Sequence, residues 1–133
     1  MPEFMCEVLT PYRRFFSGNA SSVTFATDDG EMQVLANHEP IVAPVHVGVL
    51  RIVGPDLRRS AAVTEGFIRV TKGKVDIFVD AAEWPEEIDR ERAERALGRA
   101  FKRISTETHD WLIESSRRAV ARAYNRIKVA GLA

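Results

Sequence analysis

The sequence has almost no cysteine and no long apolar run. Cys6 is the single cysteine, which excludes an internal disulfide. No segment approaches the roughly 20 apolar residues that a membrane-spanning helix requires. The N-terminus also lacks the basic region and apolar run of an export signal. We therefore expect a soluble protein made in the cytoplasm without direct membrane insertion. We expect Cys6 to be buried, because it lies in the alternating stretch CEVL.

Net charge is also absent, since 19 Lys and Arg balance 19 Asp and Glu in 133 residues. This balance disfavours a dedicated nucleic-acid binder, so no nucleic-acid partner is expected. The charges are distributed unevenly, however. Residues 1–84 hold 8 basic and 11 acidic side chains, a net charge of −3, whereas residues 85–133 hold 11 and 8, a net charge of +3. The chain therefore has an acidic part and a basic part that can attract each other.

Catalytic patterns are missing as well. The serines lack a nucleophile-elbow context, and no glycine-rich phosphate loop of the Walker or dinucleotide type is present. His38, Glu39 and His46 are the only cluster that suggests a metal, but the close histidine pair of a cupin-type dioxygenase is absent. The sequence predicts a protein that is not an enzyme by itself. A stand-alone β-barrel enzyme or binding module with a helical lid is the alternative hypothesis.

Residues 1–84 are typical of short β-strands joined by turns. Phe4, Cys6 and Val8 alternate with other side chains at the period of a strand. Further strand-like runs occupy residues 21–27, 31–36, 46–53, 61–70 and 74–80. Gly30 and Gly73 stand at turn positions between such runs. We predict an all-β sandwich or barrel.

The periodicity becomes helical after Trp84 and Pro85. Apolar residues recur at helical spacing from Ala93 to Ile104, and a second helix is predicted from about residue 110 to 129. STETHD (105–110) supplies the turn, with Thr106 and Thr108 as candidate caps. The short connection predicts an antiparallel helical hairpin over residues 85–133, which gives an α+β chain. Its apolar stripes are mostly alanine, so the hairpin is expected to dock weakly and to be able to move.

Arginines form one stripe on each predicted helix. The first stripe contains Arg92, Arg95, Arg99 and Arg103, and the second contains Arg118, Arg122 and Arg126. They are consistent with solvated faces braced by i,i+4 ion pairs. Two alternatives are an anion site for a polyphosphate, whose oxygens match guanidinium groups, and a surface for an acidic partner protein.

Several stretches, in order, resemble the epsilon subunit family of F-type ATP synthases. The similar stretches are VTFATDDGEM, NHEP, GVLRI, GFIRVTKGKVDIFVDAAE, IDRERA and RAYNRIKVA, which together span nearly the whole chain. The chain departs from the family pattern at Gln33 and Ala36, and Ser115 and Ser116 stand where ATP-binding members carry an arginine.

The resemblance implies a non-catalytic rotor subunit of the central stalk that couples proton flow to ATP synthesis. The β-domain (1–84) would bind the gamma subunit and the c-ring, with Glu31 and His38 at the ring contact. The hairpin (85–133) would be regulatory, since its extended form meets the alpha and beta subunits and inhibits ATP hydrolysis. The subunit would lie peripherally on the cytoplasmic side of the cell membrane.

The resemblance also implies a regulatory ATP site on the hairpin in its folded-down form, with no cofactor required. ATP would act there as a ligand that shifts a population of conformations and would not be a substrate. Glu83 matches a nearby position of the family motif. The residues implied for the ATP site are Ile88, Asp89, Arg92, Ala93, Arg99, Arg122 and Arg126.

Overall fold

The chain consists of two compact units, one that ends at Glu83 and one that begins at Trp84. The computed structural model describes residues 2–132. Within them the first unit holds ten β-strands in two five-stranded sheets, and the second unit holds two α-helices. The predicted α+β fold, a β-sandwich followed by a helical hairpin, is therefore confirmed.

The two sheets are nearly entirely antiparallel. The first sheet has the order β2 (Arg14–Ala20), β1 (Phe4–Leu9), β9 (Lys74–Val79), β8 (Gly66–Thr71) and β5 (Ile41–Val45). The second has the order β10 (Ala82–Glu83), β7 (Leu57–Val63), β6 (Gly48–Gly54), β3 (Ser22–Thr27) and β4 (Gly30–Leu35). In the first sheet β1 runs parallel to β9, so the start of the domain is paired with a strand near its end.

The core of the sandwich is filled by the inward-pointing side chains of both sheets. These side chains alternate with outward-pointing ones along each strand. Phe4, Cys6 and Val8 of β1 are buried, as their period-two spacing predicts. The second sheet contributes fully buried residues such as Phe25 and Ile52. Each large apolar side chain removed from water in this way contributes roughly 1.5–3 kcal/mol. Burial, reinforced by the charges of Asp76 and Glu7, raises the pKa of the Cys6 thiol to about 12.

Two details of the strand prediction are wrong. The run 61–70 is not one strand, because β7 ends at Val63 and β8 begins at Gly66. At Gly66 a Cβ atom would lie 1.8 Å from the carbonyl oxygen of Phe78, so only glycine fits where β8 begins beside β9. Strands β2 and β5 were not predicted. Pro44 interrupts β5, which is tolerated because β5 is an edge strand of its sheet.

The second unit begins with a 3₁₀ turn at Pro85–Glu87, followed by α1 (Arg90–Thr106) and α2 (Asp110–Ala130). The predicted caps at the connection are wrong. The Thr106 side chain donates to the carbonyl of Lys102 at 2.9 Å within α1, and His109 occupies the N-cap position of α2. Glu107 instead orders the connection, because its carboxylate accepts the backbone N–H of Thr108 at 3.1 Å, which lowers the pKa of Glu107. Over the described residues, neither helix combines the length and apolar character needed to cross a membrane.

Candidate functional site

The start of α1 is fixed by Asp89. Its Oδ1 accepts the backbone N–H of Arg92 at 3.1 Å, so Asp89 is the N-cap of the helix. Ile88 is half-buried and donates its N–H to the carbonyl of Pro85 at 3.3 Å. The segment IDRERA therefore forms an ordered corner between the 3₁₀ turn and α1. One carboxylate oxygen of Asp89 is already engaged in holding this corner.

Small residues at seven-residue spacing form the seam between α1 and α2. Ala93 and Ala100 are the buried residues of α1, and Ser116 and Ala123 are buried at the same spacing on α2. Ala93 and Ala123 are equally far along the chain from the connecting residue Thr108, as are Ala100 and Ser116. The packing is therefore antiparallel, and it brings the start of α1 beside the second half of α2.

This arrangement places most of the implied ATP residues at one end of the hairpin. Arg92 is exposed near the start of α1, while Arg122 and Arg126 are half-buried on the second half of α2 and already have interaction partners. Ala93 is fully buried, backbone and side chain alike, so it offers no surface to a ligand in this arrangement of the helices. Arg99 is exposed on the same face as Arg92 but lies two turns, about 10 Å, closer to the connection.

The seam also explains a departure from the resemblance. Ser116 is only 3% exposed on α2. A long basic side chain has no room at such a position without separating the helices. Ser115 is exposed and remains compatible with a larger residue.

Glu31 and His38 lie near opposite ends of β4, an edge strand of the second sheet. Glu31 follows the turn in which Gly30 adopts a φ of 127°, and its Oε2 accepts from Nη2 of Arg51 at 2.6 Å. His38 follows Asn37, whose φ is 67°, and its Nδ1 donates to the carbonyl of Glu39 at 2.7 Å. Of the two residues implied at the ring contact, Glu31 thus lies in β4 directly after its first turn, and His38 lies in the loop that follows the strand.

The histidines of the alternative hypothesis do not converge on a common point. His46 Nε2 lies 3.2 Å from Oδ1 of Asp28, whereas His38 is engaged by its own loop. Throughout residues 2–132, no group of three or more His, Cys, Asp or Glu side chains is placed to hold a metal ion. No observation favours the stand-alone enzyme.

An ion-pair ladder that the sequence did not predict lies on the outer face of the first sheet. Glu7 on β1 pairs with Arg14 and with Lys74, each at 3.1 Å, and Asp76 on β9 pairs with Arg69 at 3.0 Å. Lys74 also lies 3.5 Å from Asp76 and joins the two acids. The hydrogen bond to Glu7, with the charge of Asp76, raises the pKa of Lys74. The alternation of these residues in their strands was the available signal, but the strand order could not be inferred from it.

Comparison with known protein families accounts for both units. Residues 3–85 match the β-sandwich domain of the ATP synthase delta/epsilon chain, and residues 86–131 match the long α-helix domain of the same chain. The ATP synthase epsilon chain of Caldicellulosiruptor bescii is 45% identical over 130 residues, which cover 98% of this chain and 95% of the relative. The epsilon chain of Ruminiclostridium cellulolyticum is 47% identical over 127 residues, covering 96% and 95%.

Solved structures give the same result. A chain in the cryo-EM structure of the Euglena gracilis mitochondrial ATP synthase OSCP/F1/c-ring assembly superposes with a TM-score of 0.83 and 25% identity, covering all (100%) of this chain and 84% of the other. A chain in the central stalk and c-ring structure of the Tetrahymena thermophila mitochondrial ATP synthase superposes with a TM-score of 0.63 at 15% identity, which shows a shared fold.

Proposed function

Because this chain belongs to the delta/epsilon family of ATP synthase subunits, we propose that it is a rotor component of the central stalk that helps couple proton flow to ATP synthesis. It is a non-catalytic subunit of that complex. The observation that carries the proposal is that each of the two compact units corresponds to one family domain, in the family's order and across nearly the full chain.

The β-sandwich is the proposed anchor to the gamma subunit and the c-ring. Support for the ring contact comes from β4, since an edge strand presents unpaired backbone groups, Glu31 lies near its start and His38 lies in the loop after it. An acidic side chain at one loop would be complementary to basic groups on a partner. Through these contacts the subunit would lie peripherally on the cytoplasmic side of the cell membrane.

The helical hairpin is the proposed regulatory element, which inhibits ATP hydrolysis when it extends toward the alpha and beta subunits. The seam supports this role because Ala93, Ala100, Ser116 and Ala123 pack α1 against α2 within the unit itself. A hairpin stabilised by its own seam can change position while it keeps its helices paired.

ATP is the proposed regulatory ligand, held by Asp89, Arg92, Arg122 and Arg126. Support comes from the convergence of these four residues at one end of the hairpin, together with the preference of guanidinium groups for phosphate oxygens. Arg99 would join them only through its long side chain, since its backbone is two helical turns away. Binding would shift the population toward the conformation that forms the site.

Calorimetric titration of the full chain with ATP tests this site. We expect Arg92→Ala and Arg122→Ala each to weaken binding about tenfold, because each removes a charge-assisted hydrogen bond. Arg95→Ala is the matched control on an exposed position of α1 and should leave affinity unchanged. Asp89→Asn keeps a capping oxygen, so any loss of affinity reports the lost carboxylate and not a frayed helix. Absence of ATP binding to the unmodified chain would refute the site.

Removal of the hairpin tests the inhibitory role. Deletion of residues 85–133 in the assembled complex should raise the rate of ATP hydrolysis and preserve proton-driven ATP synthesis. An unchanged hydrolysis rate would show that the hairpin is not inhibitory. Failure of the truncated chain to enter the complex would instead contradict the assignment of the anchoring contacts to the sandwich.

A further inference from the structure

The outer face of the second sheet carries a polar groove of about 610 Å³. We call it the arginine groove. Its basic lining comes from Arg51 of β6 and from Arg58 and Arg59 of β7. The remaining lining residues are mostly polar: Ser22, Thr24, Glu31, Gln33, Val53 and Ser60. The groove lies entirely within the first unit, on different residues from the proposed ATP site.

Strand register builds the groove from two neighbouring rows of side chains. In one row Thr24 stands beside Arg51, and Arg51 stands beside Ser60. In the next row Ser22 stands beside Val53, which is paired with Arg58. Residues two apart on a strand point to the same face, so hydroxyl groups and guanidinium groups alternate across this surface.

The groove carries more positive than negative charge. Nη2 of Arg51 donates to Oε2 of Glu31 at 2.6 Å, which leaves the other N–H groups of that guanidinium available. Arg58 is exposed, and within the described part of the chain it makes no ion pair. Arg59 already has an interaction partner. Arg59 is paired with the buried Ile52 and therefore points to the opposite face of the sheet. Two cations, Arg51 and Arg58, thus face one carboxylate, and the excess positive charge lies at the β7 side.

We propose that the arginine groove binds the phosphate group of an anionic ligand. Arg58 and the remaining N–H groups of Arg51 would hold the phosphate oxygens, because guanidinium groups donate to phosphate in paired hydrogen bonds. Hydroxyl groups of Ser22, Thr24 and Ser60 supply further donors. The lining is more polar than apolar, so recognition is mainly through the phosphate itself. Either a soluble phosphate compound or a lipid headgroup presents that chemistry.

Titration of the ¹⁵N-labelled full chain with inorganic pyrophosphate at low salt tests the proposal by NMR. We expect amide shifts at Ser22, Thr24, Arg51 and Ser60, which lie on three different strands. Arg58→Gln should weaken binding about five- to tenfold, since it removes an exposed charge-assisted contact. Lys72→Gln removes the same charge from an exposed turn outside the groove and should change the affinity less than about twofold.

The Glu31–Arg51 ion pair provides a test of opposite sign. Glu31→Gln removes the carboxylate that competes for Arg51, so it should strengthen pyrophosphate binding about two- to fivefold. Weaker binding in this variant would contradict the proposed geometry. Equal weakening by Arg58→Gln and Lys72→Gln, or shifts confined to the start of α1, would overturn the groove as the site.

Vesicle sedimentation distinguishes the two sources of phosphate. Binding to phosphatidylglycerol vesicles but not to phosphatidylcholine vesicles, weakened by Arg58→Gln, would assign the groove to a lipid headgroup. Pyrophosphate binding without vesicle binding would assign it to a soluble compound. Binding of neither probe would refute the proposal and leave the family assignment unaffected, because these measurements do not involve the assembled ATP synthase.

Discussion

Nη2 of Arg69 lies 3.0 Å from Oδ2 of Asp76, and the Asp76 side chain is only 4% exposed while that of Arg69 is half-exposed. The acid is therefore the desolvated partner and the arginine covers it from the solvent side. The same guanidinium stacks over the ring of Phe78, 5.4 Å from its centroid. Removing the cations that pair with a buried carboxylate of this kind would destabilise the folded sandwich.

Asp76→Asn is predicted to destabilise the sandwich by about 1–2 kcal/mol. The variant removes the attraction to Arg69 and Lys74 but also relieves repulsion from Glu7, so the loss stays below that of an isolated buried ion pair. Denaturant unfolding measures the change. Asp80→Asn is the matched control on an exposed position and should lie within about 0.5 kcal/mol of the unmodified chain. Equal stabilities of the two variants would contradict the role of the ladder.

Ionisation of Cys6 is predicted to lower the stability of the sandwich as the pH rises into the alkaline range. Its pKa is raised from 9.0 to about 12 in the folded chain, so the folded state retains a thiol proton that the unfolded state releases. The corresponding stability is complete below pH 9 and is lost as the pH rises toward 12, with a slope of up to about 1.4 kcal/mol per pH unit. Unfolding free energies of the unmodified chain and Cys6→Ala, measured from pH 8 to 11, should converge. Parallel curves would refute the linkage.

Gly66→Ala is predicted to destabilise the sandwich by at least about 3 kcal/mol, because the new methyl group would meet the backbone of β9. The clash is with a carbonyl and cannot be relieved by a side-chain rotation. Thermal unfolding followed by circular dichroism reports the effect.

Gly98→Ala is the complementary substitution in α1, where nothing lies within 4 Å of an added Cβ. Alanine should stabilise the hairpin by about 1 kcal/mol through helix propensity. Destabilisation by Gly98→Ala would show that the exposed face of α1 is covered by something else.

Ala123→Leu is predicted to destabilise the helical hairpin by about 1–3 kcal/mol, since Ala123 lies in the seam and is 4% exposed. Hydrogen exchange of α1 and α2 amides measures the change within the second unit alone. Ala121→Leu places the same side chain on an exposed position of the same helix and should leave protection unchanged. Similar exchange in both variants would contradict a close-packed seam.

The sequence predicts the buried faces of strands and helices correctly where its hydrophobic periodicity is regular. The alternation of Phe4, Cys6 and Val8 predicts a buried strand face, and the helical spacing of the alanines predicts an apolar stripe on each helix. That alanines of both stripes lie in a seam between the two helices was not predicted. Polar residues within that seam, such as Ser116, could not be identified, because a serine at a buried helical position has the same pattern as one on the surface. The seven-residue spacing of Ser116 and Ala123 becomes informative only once the partner helix is known.

Contacts between strands that are far apart along the chain could not be predicted from the sequence either. The ion-pair ladder joins β2, β1, β9 and β8, so it depends on a strand order that hydrophobic alternation does not specify. Strand β5 was missed because Pro44 is unfavourable in a central strand, and its edge position emerges only from the complete sheet. The residues implied for the ATP site come from short motifs. Their positions relative to one another can be inferred only once the two helices are known to pack antiparallel.

The parallel pairing of β1 with β9 has a consequence for how the protein is made. β1 can join β2 as soon as both leave the ribosome, but its other edge stays unpaired until β9 has been synthesised. The sandwich therefore has a high contact order and completes its folding late, while the hairpin needs only neighbouring residues. An exposed edge during this interval is a site for mispairing between nascent chains, which makes the first domain the vulnerable part of the chain during synthesis.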